Sequence, residues 1–178
     1  MSQLSKLNMV NSKLGATMPG QQTTRYIYDS VTTLLGQGTF NFFETFAGKT
    51  DLQSNLTTNK LDSSESMVIK SIYVAGNIGV AFSGHSNLTI TVGNQVVLKD
   101  LNLSFNVQQR GTSYDRLHSA PFGDNIVEVR LLTDIVIPPQ VNFKATLQLA
   151  ETVGTLAGQN ITLGFKGYGT IFSAGSTF

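Results

Sequence analysis

The sequence predicts an all-β protein folded as a two-sheet antiparallel β-sandwich, and three observations support this fold class. Apolar and polar residues alternate singly through 101–108 and 141–149, which is the period of a half-buried strand. Turn residues such as Gly, Asn and Pro recur at roughly 8–15-residue spacing, as in sandwiches and barrels. Outside the first residues of the chain, no segment shows a convincing helical period. We therefore expect about eight or nine strands, with neighbouring extended segments such as 26–28 and 31–35 counted as one strand.

The first half of the body is predicted to form short strands. Asp29-Ser30 and Gly36-Gln37-Gly38 are expected to interrupt them, and the polar segment 47–66 is predicted to be a loop with one helical turn. The strands are predicted at 26–28, 31–35, 39–46, 67–75 and 78–82.

The second half begins with a hairpin signal, because Gly93-Asn94 separates two apolar runs by two residues. A long strand stops at Pro138-Pro139, since proline cannot donate to a β-ladder. The strands of this half are predicted at 88–92, 95–98, 101–108, 126–137, 141–150 and 160–172.

Eight strands of this length favour a single jelly roll, with an immunoglobulin-like sandwich as the alternative. Residues 26–178 form the predicted domain, and residues 1–25 form an N-terminal arm. The arm contains Lys6 and Lys13 and no acidic residue, and its apolar residues lie near helical spacing. Two interpretations stay open: a flexible arm, or an arm that orders against a partner subunit or a polyanion.

Composition favours an assembled protein over a free monomer. Charged residues make up 13% of the chain, against about 25% in ordinary soluble domains. Charge is depleted at interface cores, so a surface of Asn, Gln, Ser and Thr suits repeated contact with neighbours. The net charge of +1 argues against a dedicated nucleic-acid binder, and the absence of cysteine excludes disulfides and thiolate metal sites. Neither a signal peptide nor a transmembrane helix is predicted.

The sequence offers little for catalysis. Asp115 and His118 suggest a triad with some serine, but no Gly-x-Ser-x-Gly elbow accompanies them, and His85 lies alone in a turn. Two histidines are too few for a zinc site. Asp51, Asp62 and Glu65 lack the spacing of a calcium loop, although a loop calcium ion stays open. We expect no enzymatic activity, metal, cofactor or small-molecule substrate.

Three further groups of residues have both a structural and a functional interpretation. Gly164, Gly167 and Gly169 resemble a phosphate loop but lie inside a predicted strand, where glycine permits close backbone approach. The aromatic cluster is interpreted as core or as an inter-subunit anchor, with Phe43 pointing away from the other three. The arginines are interpreted as solvated or as forming inter-subunit ion pairs. The cluster comprises Phe40, Phe42, Phe43 and Phe46, and the arginines are Arg25, Arg110, Arg116 and Arg130.

The pattern resembles bacteriophage single-jelly-roll capsid proteins over residues 26–178. The resemblance rests on the cysteine-free, charge-poor β body, the strand–Pro–Pro–strand passage 134–143 and the Gly-rich terminal strand. It implies a structural virion protein that self-assembles into an icosahedral shell in the host cytoplasm, with copies of itself and other virion proteins as partners. Lys6, Lys13 and Arg25 would contact the genome or a neighbour, although three cations give weak or no nucleic-acid binding. The alternative is a carbohydrate- or receptor-binding module of a phage tail or fibre, with its site in loops 47–66 and 109–124.

Overall fold

The computed structural model describes residues 20–76, 86–103, 125–150 and 158–172. The regular elements of these residues are eight β-strands. The strands are β1 (Gly20–Thr32), β2 (Thr39–Phe42), β3 (Glu65–Gly76), β4 (Ser86–Val92), β5 (Gln95–Asn102), β6 (Asn125–Ile137), β7 (Phe143–Leu149) and β8 (Asn160–Phe172).

The strands form two four-stranded sheets with the orders β1-β8-β3-β6 and β2-β7-β4-β5, and every pair is antiparallel. Strand β1 pairs with β8, β2 with β7, β3 with β6, and β4 with β5. This is one long antiparallel ribbon, with the β4–β5 hairpin at its tip, rolled into two layers. That arrangement is a jelly roll, so the predicted fold is confirmed and the immunoglobulin-like alternative is excluded.

The core lies between the two sheets, where alternate residues of each strand point inward. In β4 and β7 every second side chain is buried, which gives the period of two that the sequence predicts. Phe43 lies at the centre, with its ring centroid 5.2 Å from that of Phe143 and 5.0 Å from that of Phe165. These tilted contacts join the two layers, because Phe143 belongs to one sheet and Phe165 to the other.

The structure corrects the predicted start of the domain. β1 runs without interruption from Gly20, so residues 20–25 pair with β8 instead of belonging to an arm, and Asp29-Ser30 does not break the strand. The strand continues because the Asp29 carboxylate is fully buried with partners of its own. Of the other predicted strands, 78–82 and most of 101–108 lie outside the described residues.

Edge strands β5 and β6 both carry bulges. In β6 the pairing with β3 jumps from Ile135 to Arg130 while β3 advances only from Ile69 to Ser71. Residues 131–134 therefore lie opposite Lys70 alone, and an ion pair of 2.7 Å between Lys70 and Asp134 spans the bulge. In β5 a register shift falls near Asp100, which has a positive φ of 51°. Such bulges bend a strand away from its sheet.

Two glycines of β8 allow close approach of other atoms: backbone at Gly167, as the sequence predicts, and a side chain at Gly164. A Cβ at Gly167 would lie 1.9 Å from the carbonyl oxygen of Val68, beside the bulge in β3. A Cβ at Gly164 would overlap the ring of Tyr73. Strand β8, one of the two inner strands of this sheet, therefore needs glycine at these two positions for steric reasons.

Candidate subunit interface

Exposed large apolar side chains are confined to the two edges of the sandwich within the described residues. One group belongs to β1 and the connections that flank β2: Tyr26, Leu34, Leu35 and Leu52. We call this the β1/β2 edge, since β1 and β2 contact each other there. The other group is Val96, Val97 and Leu132, which we call the β5/β6 edge. The four central strands carry none within the described residues, so the part of each broad face that these strands form exposes no large apolar side chain.

The β5/β6 edge holds an apolar groove with a volume of about 800 Å³. Its apolar lining comes from both strands: Val97, Leu98 and Leu101 from β5, and Val129, Leu131, Leu132, Ile135 and Val136 from β6. The two strands belong to different sheets and no ladder joins them. Because both strands are bulged here, the edges of the sheets stand apart and leave apolar side chains in contact with solvent.

Leu132 stands at the rim of this groove on the bulge of β6. Its side chain has a relative exposure of 106%, higher than that of any other large apolar residue the structure describes. An isolated exposed leucine needs no explanation, but one beside an apolar groove adds to a contiguous patch. The β5/β6 edge is therefore the strongest candidate for a contact surface.

The β1/β2 edge presents a stiff turn that projects two adjacent leucines. The backbone N–H of Gln37 donates to the carbonyl of Leu34, and the Gln37 side chain accepts from Leu34 N–H and donates to Thr39. Gly36 adopts a φ of 77°, which closes the turn at little steric cost. Leu34 and Leu35 are 65% and 77% exposed. We call residues 34–37 the Leu-Leu turn.

The backbone edge of β1 is covered along the segment next to this turn. The β2–β3 loop pairs with it through Ser30 N–H to Gln53 and Asn55 N–H to Tyr28. The Asn55 side chain adds two hydrogen bonds to the same edge, from Tyr28 N–H and to the Tyr26 carbonyl. Because these backbone groups are already hydrogen-bonded, another chain cannot pair with β1 here as an added strand, and any contact at this part of the edge must be made by side chains.

A buried ionic contact fixes the same loop to β1. The Asp29 carboxylate is fully buried and accepts from Lys49 Nζ at 2.6 Å and from Phe43 N–H at 2.7 Å. Phe43 has a φ of 63°, in the left-handed region where non-glycine residues are uncommon. The carboxylate holds this backbone turn, which directs the Phe43 ring into the core.

The structure places the predicted aromatic cluster inside the subunit. Phe40, Phe42 and Phe43 are fully buried, and Phe46 is partly buried against the same core. The expectation that Phe43 points away from Phe40 and Phe42 is wrong, because β2 ends at Phe42 and the positive φ turns Phe43 inward. With three of its rings inaccessible, the cluster contributes packing and not an exposed contact surface.

Of the predicted basic residues, Arg25 and Arg130 lie within the described parts of the chain, and they lie on different strands. Arg25 lies on β1 and pairs with Glu65 at 2.6 Å, and Arg130 is exposed on β6. Lys6, Lys13, His85 and His118, together with Arg110 and Arg116, lie outside the described residues. Within the described parts of the chain, no three His, Cys, Asp or Glu side chains cluster as metal ligands. No helix there is long and apolar enough to cross a bilayer.

One tyrosine on the outer face of the β1-β8-β3-β6 sheet, Tyr73, has a perturbed pKa. Burial raises the pKa of Tyr73 above its ordinary value, and the neighbouring Tyr28 and Tyr26 act in the same direction. From about pH 10 upward the unfolded chain loses this proton before the folded chain does, so the free energy of unfolding falls as pH rises. We expect Tyr73→Phe to show a shallower fall in urea unfolding between pH 9 and 11; parallel curves for the two proteins would contradict this.

The residues that matter most at the edges are not among the predicted site residues. Leu34 and Leu35 stand at the end of a predicted strand, and Leu132 stands inside another. Both sites carry the same sequence signal, a Leu-Leu pair that interrupts the alternation of apolar and polar residues. In a strand with one buried face, one member of such a pair must face outward.

Comparison with known proteins gives only distant likenesses. No protein-family model and no curated protein matches the chain. The chain is similar to the major capsid protein of bacteriophage PM2, at a TM-score of 0.39 and 8% identity over 88% of this chain and 47% of that one. It is also similar to a virus-like particle of the extra small virus of the prawn Macrobrachium rosenbergii (TM-score 0.36, 8% identity, 86% and 80% covered). Desmodium yellow mottle tymovirus gives a TM-score of 0.34 at 9% identity, with 90% and 93% covered. The chain thus spans less than half of the PM2 protein, and the strand order alone defines its fold.

Proposed function

We propose that this protein is a structural virion component that self-assembles into a closed, icosahedral shell. The observation that supports this best is the confinement of exposed apolar side chains to the two edges of the sandwich. Copies that meet edge to edge cover these side chains and leave the polar sheet faces as the inner and outer surfaces of a layer.

The physical basis is the geometry of repeated contacts. Two different surface patches on one subunit give a head-to-tail contact, which closes into a ring when the rotation per subunit allows it. Rings that share edges form a shell. Burial of apolar surface contributes roughly 25 cal/mol per Å², and the scarcity of charge limits the cost of desolvating the edges.

The proposal predicts that the purified chain assembles at tens of micromolar concentration and neutral pH. Light scattering after size exclusion should give a mass several times 19.2 kDa, and negative-stain electron microscopy should show rings or shells. Leu52→Lys and Leu132→Lys should each shift the protein towards the monomer, because each places a charge on an apolar edge.

Gln148→Lys is the matched control, since Gln148 is exposed on the polar face of the β2-β7-β4-β5 sheet. This variant should assemble as the parent does, provided that its circular dichroism is unchanged. A parent chain that stays monomeric at these concentrations would remove the proposal.

The N-terminal residues have a smaller place in this proposal. Arg25 already pairs with Glu65 of its own chain, so any contact of the arm with the genome or a neighbour falls to Lys6 and Lys13. Two cations neutralise too few phosphates for strong packaging of nucleic acid. We also propose a bacteriophage origin, on the basis of the resemblance of residues 26–178 to bacteriophage single-jelly-roll capsid proteins.

A second candidate function is glycan or receptor binding through the β2–β3 loop. A polar cleft of about 270 Å³ lies there, lined by Phe46, Lys49, Asp51 and Asn55 among others. An aromatic ring beside amide and charged groups suits a sugar, although the cleft is smaller than most ligand pockets. A glycan array tests this function, and Asp51→Ala, which removes an exposed carboxylate from the cleft, should abolish any signal that arises there. A blank array would eliminate it.

A further inference from the structure

We propose that the Leu-Leu turn of one copy docks into the apolar groove between β5 and β6 of a second copy. The inference rests on the proposed self-assembly and names the contact that would drive it. It assigns the exposed Leu34 and Leu35 as the inserted side chains and the lining of the groove as their receptor.

The turn is built in a way that suits insertion. Its base is fixed by Thr33, which is fully buried: its backbone N–H donates to Gln159 at 2.7 Å, and its carbonyl accepts from Gly158 N–H at 2.8 Å. Its tip is closed by the hydrogen bonds of the Gln37 side chain. A segment held rigid before contact loses little conformational entropy on binding, which favours affinity.

The groove matches the turn in size and chemistry. A volume of about 800 Å³ is ample for two leucine side chains and the backbone between them. The walls offer Val97, Leu98 and Leu101 from one side and Leu131 and Ile135 from the other. Residues 30–43, which include the turn, contain no charged side chain, so the turn itself brings no charge into the groove. The lining of the groove does include Arg130 and Asp134, and Asp134 is already paired with Lys70 of its own chain.

The charges that flank the two surfaces also favour this contact. The β5/β6 edge exposes Lys99, Asp100 and Arg130, of which two are positive. On the β1/β2 edge, two acid–base pairs are closed within the chain, Arg25 with Glu65 and Lys49 with Asp29. Asp51, beside Leu52, is exposed there. The β5/β6 edge therefore has one net positive charge and the β1/β2 edge one net negative charge, and this attraction favours their approach.

The positions of the two surfaces give the contact a direction. The turn and the groove lie at opposite edges of the same sandwich, so one subunit cannot join them within itself. Each subunit donates one turn and receives another, which is a head-to-tail arrangement. A two-leucine insertion alone is smaller than a standard interface of about 1,600 Å². Leu52 and Tyr26 on one edge, with Val96 and Leu132 on the other, are placed to extend it.

Cysteine cross-linking tests this contact, because the chain has no cysteine of its own. Leu35→Cys and Val97→Cys are prepared separately, one with a mass tag, mixed before assembly and treated with a mild oxidant. The expected product is a disulfide-linked heterodimer of the tagged and untagged chains. The chain carrying both substitutions should give a ladder of linked oligomers. Leu132→Cys serves as a second receptor position at the rim, since a disulfide tolerates Cα separations of only about 4.4–6.8 Å.

Two controls separate this contact from other arrangements. Gln148→Cys, on the polar sheet face, should not cross-link to Leu35→Cys. Linkage of Val97→Cys to itself, or no linkage of Leu35→Cys to either groove position in assembled material, would overturn the inference while leaving the proposed assembly in place. A groove occupied by the chain's own residues 104–124 would protect Val97→Cys from a thiol reagent in the monomer, which also overturns it. Failure of the parent chain to assemble is a separate result that sinks the proposed function.

Discussion

Asp29→Ala is expected to lower the free energy of unfolding by about 3–5 kcal/mol, enough to unfold a marginal domain. The substitution removes the partner of a largely buried Lys49 ammonium group and the acceptor for Phe43 N–H. The lysine charge and the amide are then left without these contacts, and the positive-φ turn that directs Phe43 into the core loses its support. Equilibrium urea unfolding followed by circular dichroism measures the loss.

Asp62→Ala is the control for this prediction, because Asp62 is an exposed aspartate of the β2–β3 loop, the loop that also carries Lys49. It should change the free energy of unfolding by no more than about 0.5 kcal/mol. Lys49→Met tests the pairing itself: the double variant with Asp29→Ala should lose clearly less than the two single losses combined. Strict additivity of the two substitutions would contradict the proposed role of the ion pair.

Gly167→Ala is expected to cost at least about 3 kcal/mol or to prevent folding, although it adds a single methyl group. The new Cβ would lie 1.9 Å from the Val68 carbonyl oxygen, and the obstacle is backbone held in the β3–β8 ladder. No change of rotamer relieves such a clash, so β8 and β3 must separate locally. Thermal unfolding, or the soluble yield if the variant does not fold, reports the effect.

Gly164→Ala gives the informative contrast. Here the obstacle is the side chain of Tyr73, with its ring 2.0 Å from the added Cβ. Combining this change with Tyr73→Ser removes the ring and should restore most of the lost stability. An equal rescue of Gly167→Ala by Tyr73→Ser would show that the clash with Val68 is not the cause of its loss.

Much of the fold follows from local sequence signals, since a sheet imposes a period of two on any strand with one buried face. β8 begins and ends where the sequence predicts, and the hairpin at Gly93-Asn94 joins β4 and β5. Asp29 shows where this reasoning stops. A charged residue in an otherwise apolar segment normally indicates the end of a strand, because charged side chains are rarely fully buried. The partner that allows Asp29 to be buried is Lys49, 20 residues away, and no local sequence signal predicts this pairing.

The contact surface was harder to predict than the fold, for a related reason. Aromatic residues contribute the most energy both to cores and to interfaces, so the sequence alone does not decide between the two. Phe40 and Phe42 are core because β2 pairs with β7 within one sheet and turns these two side chains towards the other sheet, and Phe43 is core because its positive φ turns it inward. Exposure of Leu132 depends on a bulge that exists only in the pairing of β6 with β3. A feature that depends on the pairing of two strands distant in sequence is hard to predict from the sequence of either strand alone.

The bulge in β6 also determines how a neighbour can be joined to this molecule. Residues 131–134 arch out of line, so the outer margin of β6 offers no straight row of amide and carbonyl groups for another chain to extend. Continuous sheets running from molecule to molecule, as in amyloid fibrils, are therefore disfavoured on this side. In the proposed assembly, neighbouring molecules would meet at this edge through apolar side chains, and because such contacts weaken on cooling, we expect the assembly to loosen in the cold.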